Sequence, residues 1–217
     1  MTLATPPLPP ENVAGRVLLR NVPWEAYEML ARANAEGSLR MTYDRGRLEI
    51  EVPSLEHERL RGFVGQLIEQ YAVKTRTPVL PVGSTTWQRQ FLDRGIEADE
   101  GYYVSHYNAV VGKGEVNLEV DPPPDLAVEV DLTTSSIDKL SIYASLGVPE
   151  VWRLHDDRFD CLHLLPDGTY VAASCSLVFP RLPLSSIVAA LEQRQQRGEF
   201  EAVCVFAESV AGFPRGS

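Results

Sequence analysis

The chain has 217 residues, 44% hydrophobic and 23% charged, the make-up of a globular protein and a length suited to one generous domain. No apolar run approaches the roughly 18 residues that span a bilayer, and the opening MTLATPPLPPENVAG has neither a basic nor an apolar signal region, so the expectation is a cytoplasmic protein without a membrane partner. The net charge of −10 argues against a sequence-independent nucleic-acid coat, which needs a basic face, but not against a cleft rich in carboxylates.

In chain order, residues 1–15 begin Pro-rich and read as flexible, residues 16–208 as one domain, and 209–217 as a flexible tail. VPWEAYEMLARANAEG predicts a short helix, with Pro23 near its start and Gly37 past its end. LRMTYDRGRLEIEV predicts a hairpin that turns at Asp44, Arg45 and Gly46, with Glu49 and Glu51 on a solvent-facing side. A longer helix follows from Ser54, a candidate cap, with Leu60, Val64, Leu67, Ile68 and Tyr71 at helical spacing. Strands are expected at 84–89, 97–104, 126–133, 151–155 and 161–165, and a last helix at 185–196. Cys161, Cys175 and Cys204 are odd in number, widely spaced and without a CxxC, which excludes a disulfide framework or zinc site and leaves buried thiols. His106, His155 and His163 show no ligand spacing and read as structural.

The chemistry gathers in PPPDLAVEVDLTTSSIDKLSIYASLG. Strand alternation puts Leu126, Val128, Val130 and Leu132 on one face and Ala127, Glu129 and Asp131 on the other, so two carboxylates share a face. A capping box of Ser135 and Asp138, with Gly147 and Pro149 beyond the end, predicts a helix over 136–146. Lys139 falls in its first turn, where the helix dipole disfavours a cation, and leans back toward the strand end. A third carboxylate, Asp99 in RGIEADEGYYV, has Glu97 and Glu100 as neighbours. Carboxylates on adjacent strands beside a lysine suit phosphodiester hydrolysis, because Mg²⁺ takes oxygen ligands from one or two carboxylates and a cation steadies developing negative charge. The plainer alternatives are a solvated edge-strand face for Glu129 and Asp131, a turn for Asp99 and a surface position for Lys139.

The order of hairpin, long helix, strand with Asp99, strand with Glu129, helix and strand resembles the PD-(D/E)XK restriction-endonuclease-like fold. More closely, GIEADEGYYV, the run from Pro124 to Trp152 and the SxxH of Ser54 to His57 resemble the Uma-type family, a likeness that spans roughly residues 20 to 190. The resemblance implies an α/β (α+β mixed) domain with a mixed central sheet flanked by helices, and a Mg²⁺- or Mn²⁺-dependent endonuclease acting on DNA, with pairing into a homodimer as a further expectation. It makes Asp99 and Glu129 the metal ligands. Ala98 replaces the proline that usually precedes the first Asp, and Asp131 stands where the broad superfamily has lysine, so Lys139 is the candidate migrated lysine and Asp131 an extra ligand or its partner.

His57 and Glu58 are candidates to join the site or to serve the helix alone. Arg59, Arg61, Lys74, Arg76, Arg89 and Arg94 are the candidate phosphate contacts. FEAVCVFAESV carries apolar residues without an evident place in the core and is the candidate dimer interface. Two rival functions stand beside the nuclease: an inactive module of the same fold that only binds a partner, and a metal-dependent hydrolase of a small phosphoester.

Overall fold

A computed structural model describes residues 15–34, 39–132, 134–155 and 158–212. Residues 1–14 and 213–217, the bulk of the two segments read as flexible, lie outside these, as do Gly37 and Thr133. Strands β1 (Gly15–Arg20), β2 (Arg40–Asp44), β3 (Arg47–Val52), β5 (Thr86–Arg89) and β6 (Arg94–Glu97) form an antiparallel sheet in the order β1-β3-β2-β6-β5. A second sheet runs β11-β10-β9-β8-β7-β4, from β4 (Leu80–Pro81), β7 (Glu100–Tyr103), β8 (Leu126–Asp131), β9 (Glu150–His155), β10 (Arg158–Leu164) and β11 (Tyr170–Ala172). Only β8 and β9 pair parallel in it, which makes this sheet mixed.

The predicted alternation of β8 decides what packs on each side. Leu126, Val128 and Val130 face a core built from helices α2 (Leu55–Thr75), α5 (Leu184–Arg197) and α6 (Glu199–Ser209). On the opposite face, Ala127 and Val151 meet α4 (Lys139–Leu146) together with Trp87 and Ile96 of the first sheet. A third cluster seats α1 (Trp24–Ala33) on β2 and β3 through Tyr27, Tyr43 and Leu48. A single turn, α3 (Tyr107–Val110), precedes the long connection to β8. The architecture is therefore mixed α and β, with helices on both faces of the mixed sheet. No described helix is long and apolar enough to cross a membrane.

Several expectations change. The strand predicted over 97–104 is broken at Ala98 and Asp99: β6 belongs to the first sheet and β7 to the second. No proline interrupts residues 97–104 to mark the break, so the sequence alone reads as one strand. The helix predicted from 136 begins at Lys139, with Asp138 as its cap accepting from Ser141 N at 3.3 Å. Ser135 does not cap it, because its hydroxyl is committed to Glu49 Oε1 at 2.6 Å and to the turn at Ile137. Glu49 is buried rather than solvent-facing, since this turn crosses over it and Ser136 N also donates to it at 2.7 Å. FEAVCVFAESV has a place in the core after all: Ala202 and Phe206 of α6, with Val210 beyond it, are buried against the α2 side. Of the three thiols, Cys161 is buried, Cys204 partly so, and Cys175 is exposed.

Candidate active site

The break between β6 and β7 is what creates the site. In the β7–β8 ladder Glu100 pairs with Val128 and Gly101 with Ala127, so one further step of register would set Asp99 opposite Glu129. The chain leaves the sheet at that step, which would orphan the next amide of β8. Asp99 Oδ2 accepts that Val130 N–H at 2.7 Å, and both carboxylates are only 2% exposed.

Lys139 arrives from the other direction. As the first residue of α4 it reaches back to β8, its Nζ 2.5 Å from Glu129 Oε2 and 3.3 Å from Asp131 Oδ1. Asp131 is held from its far side by Arg153 Nε at 2.8 Å, so it partners two cations. One turn along α4, the Tyr143 hydroxyl donates to Glu129 Oε1. Asp99 also faces His57 Nε2, at 3.2 Å, and Arg40 Nε, at 3.8 Å. His57 in turn stands 3.5 Å from Glu58, which bonds Arg40 and Arg61, and Arg61 reaches Glu100. These contacts form two sets of charges, Asp99 with His57 and Glu58, and Glu129 and Asp131 with Lys139, which meet through the Val130 amide and the charge that Lys139 exerts on Asp99.

Burial raises the Glu129 carboxyl, and the neighbouring Asp99 and Asp131 add to this against the opposing pull of Lys139. Burial also acts to raise Asp99, but the hydrogen bond from His57 and the charge of Lys139 prevail and hold it low. Lys139 is driven above its ordinary range despite its burial, by Glu129 first and then Asp99 and Asp131. Asp99 and Glu129, both buried and each set beside a cationic side chain, are hard oxygen donors, the kind that Mg²⁺ or Mn²⁺ takes. A cavity of about 370 Å³ opens onto Glu129, Asp131, Lys139 and Arg153, while Asp99 lies behind its lining.

Sequence reasoning missed Tyr143, Arg40 and Arg153. Tyr143 carried a readable signal, four residues after Lys139 on one helix face. Arg40 comes from the other sheet, with no local sign of its destination. Among the six candidate phosphate contacts, Arg59 pairs with Glu56 and Glu199, Arg61 with Glu58 and Glu100, and Arg94 with Asp44. Lys74 and Arg76 are exposed, and the Nε of Arg89 is shielded without a hydrogen-bond partner among the described residues.

A second group of potential ligands lies at the opposite end of β9. Cys161 and His163, two apart on one strand and so on one face, converge on fully buried Glu150 with contacts of 3.6 to 3.7 Å. The absence of ligand spacing read from the sequence is thus corrected, since strand alternation supplies it. Both oxygens of Glu150 are already engaged, Oε1 by Trp152 Nε1 and Ser176 Oγ at 2.6 Å, Oε2 by the amides of Leu177 and Val178 at 2.5 and 3.2 Å. Burial and the adjoining carboxylate hold the Cys161 thiol well above its usual range, in its neutral form. Through these bonds Glu150 anchors the loop after β11.

A comparison with curated proteins finds no match. A family model described as "Putative restriction endonuclease" matches residues 24–195, a span that runs from the start of α1 almost to the end of α5 and contains every residue of the site. The chain belongs to the Uma2 family, and its mixed α and β architecture is of the restriction-endonuclease-like kind.

Proposed function

We propose that the protein is a Mg²⁺-dependent endonuclease hydrolysing DNA phosphodiester bonds, with Asp99 and Glu129 holding the ion and Lys139 as the catalytic cation. The observation that carries this reading is the pairing of Glu129 with Lys139 at 2.5 Å beside an open cavity, with buried Asp99 bonded at 2.7 Å to the very next backbone amide, Val130 N. When bound there, the ion supplies positive charge to the phosphate and lowers the pKa of a water. The chain's own groups do the rest. Val130 N and His57 fix Asp99, Tyr143 fixes Glu129, and Asp131 holds Lys139 in place. Lys139 Nζ then faces the position where negative charge grows on the phosphate oxygens, a preorganised contact whose loss costs on the order of a hundredfold in rate.

The test is a cleavage assay on plasmid, linear and single-stranded DNA with Mg²⁺ or Mn²⁺. Glu129→Ala should abolish cutting, and Lys139→Met should reduce it by about a hundredfold or more while metal affinity holds or rises, because a competing cation has gone. Equal cutting by wild type and Glu129→Ala would remove the assignment. Cutting at wild-type rate by Lys139→Met would return the lysine to a purely ionic partner of Glu129.

A further inference from the structure

The backbone register of the first sheet places four arginines on one rung. Arg20 of β1 pairs with Arg47 of β3, Arg47 with Asp44 of β2, Asp44 with Arg94 of β6, and Arg94 with Arg89 of β5. Residues paired directly across strands project from the same face. That face is the one turned toward α4, because Arg47 donates to the carbonyl of Ser136 and Arg94 to that of Ser141, on either side of Lys139. The two hairpin turns at this end are joined, with Arg45 N donating to Asp93 O at 2.9 Å. Arg45 is exposed at one turn, and Phe91, 93% exposed, stands at the other.

The arginines here divide by what holds them. Arg94 is neutralised by Asp44 at 2.9 Å, and Arg47 is tied to a carbonyl. Arg20, Arg45 and Arg89 have no carboxylate partner among the described residues. In a chain of net charge −10, five arginines against Asp44, Asp93 and the neighbouring Glu25 and Asp138 leave this end with an excess of positive charge. Guanidinium groups spaced across strands and beside an exposed ring match a phosphate backbone with unpaired bases, which binds through charge and stacking together.

We infer that this end of the first sheet is the track for the DNA strand, with Arg20, Arg45 and Arg89 taking successive backbone phosphates and Phe91 stacking on an unpaired base. The inference rests on the reading that the chain acts on DNA, and it deepens that reading by giving the substrate a path and single-stranded character. The contacts to Ser136 and Ser141 set the track against the backbone on either side of Lys139.

The test is fluorescence-anisotropy titration of a labelled single-stranded oligonucleotide in EDTA, where nothing is cut, over a series of salt concentrations. The triple variant Arg20→Gln, Arg45→Asn, Arg89→Gln is used, with Asn at 45 because that residue has φ +49°. Its dependence of log K on log salt should be shallower than wild type by about 2, as expected for three lost phosphate contacts on a single strand, and affinity should fall at least tenfold. Arg197→Gln, at the exposed end of α5, should bind as wild type. Phe91→Ala should weaken binding by about fivefold or more with the salt slope unchanged.

Wild-type affinity and slope in the triple variant would overturn the track while leaving the nuclease reading intact. Unaltered binding by Phe91→Ala would overturn the stacking contact. A wild-type protein that binds through these arginines but cuts nothing with Mg²⁺ would keep the track and sink the nuclease reading, and a wild-type protein that binds no DNA would end both.

Discussion

His57 shows how one residue of the site couples stability to pH. Burial works against its charged form, but hydrogen bonding to Asp99 and then to Glu58 outweighs this and raises it to about 9. A histidine raised on folding stabilises fully below its ordinary value near 6.5, and that contribution is lost as pH climbs through about 9. Glu129, raised to about 7, acts in the same direction, but its contribution is gone by then. The metal-free protein should therefore lose melting temperature between pH 7.5 and 9.5, by several degrees for a contribution of about 2 kcal/mol, and His57→Gln should lose much less across the same interval. Thermal melting of both proteins at matched pH decides it, and parallel curves would acquit His57. At this scale Glu129 and Asp131 were legible because strand alternation puts both on one face, Asp99 through the family resemblance, and Lys139 because a cation in a first helical turn needs an anion nearby. The partners that hold them were mostly not legible, since Arg40 reaches Asp99 from another sheet and only register, not local pattern, brings it there.

At the scale of elements, the break at Ala98 and Asp99 depends on glycine for a reason other than backbone freedom. Trp87 of β5 lies across β7 so closely that a Cβ on Gly101 would sit 2.2 Å from its Cη2, and Trp87 is fully buried with no room to retreat. The ring joins the two sheets at the point where the chain passes between them. Gly101→Ala should therefore destabilise by about 2 to 3 kcal/mol through overpacking, and should lower activity as well, because the strand it displaces begins one residue after Asp99. Urea denaturation of the variant checks this, and a change under about 0.5 kcal/mol would mean that the ring does not seat against this strand. The sequence reading located the hairpin, the long helix with its Ser54 cap, β8 and β9 from patterns that are complete within each segment. It misjudged the start of α4, where Ser135 and Asp138 satisfy the spacing of a capping box but Glu49, far away in sequence, claims the serine. It also missed β1 and the short strands β4 and β11, whose pairing is set by neighbours and not by their own composition.

For the molecule as a whole, the last helix decides whether the large core is closed. An apolar C-terminal segment offers the same sequence signal whether it meets a second copy or its own chain, and here Ala202, Phe206 and Val210 turn inward to the cluster that includes Phe63, Leu67 and Phe179, while Phe200 is left exposed. Arg194 ties the start of this helix to α2, bonding both Glu199 and Glu56. Burial of the three inward side chains is worth about 5 kcal/mol by apolar area, an upper figure but one comparable to the whole stability of an ordinary domain. Removing residues from Phe200 onward should accordingly leave α2 and α5 with a bare apolar face. The expected product is insoluble, or soluble without a cooperative melt, as judged by gel filtration and circular dichroism against the full chain. A soluble monomer that melts like the full chain would show that the helix adds nothing to the core, and would restore the segment as the surface through which two copies meet.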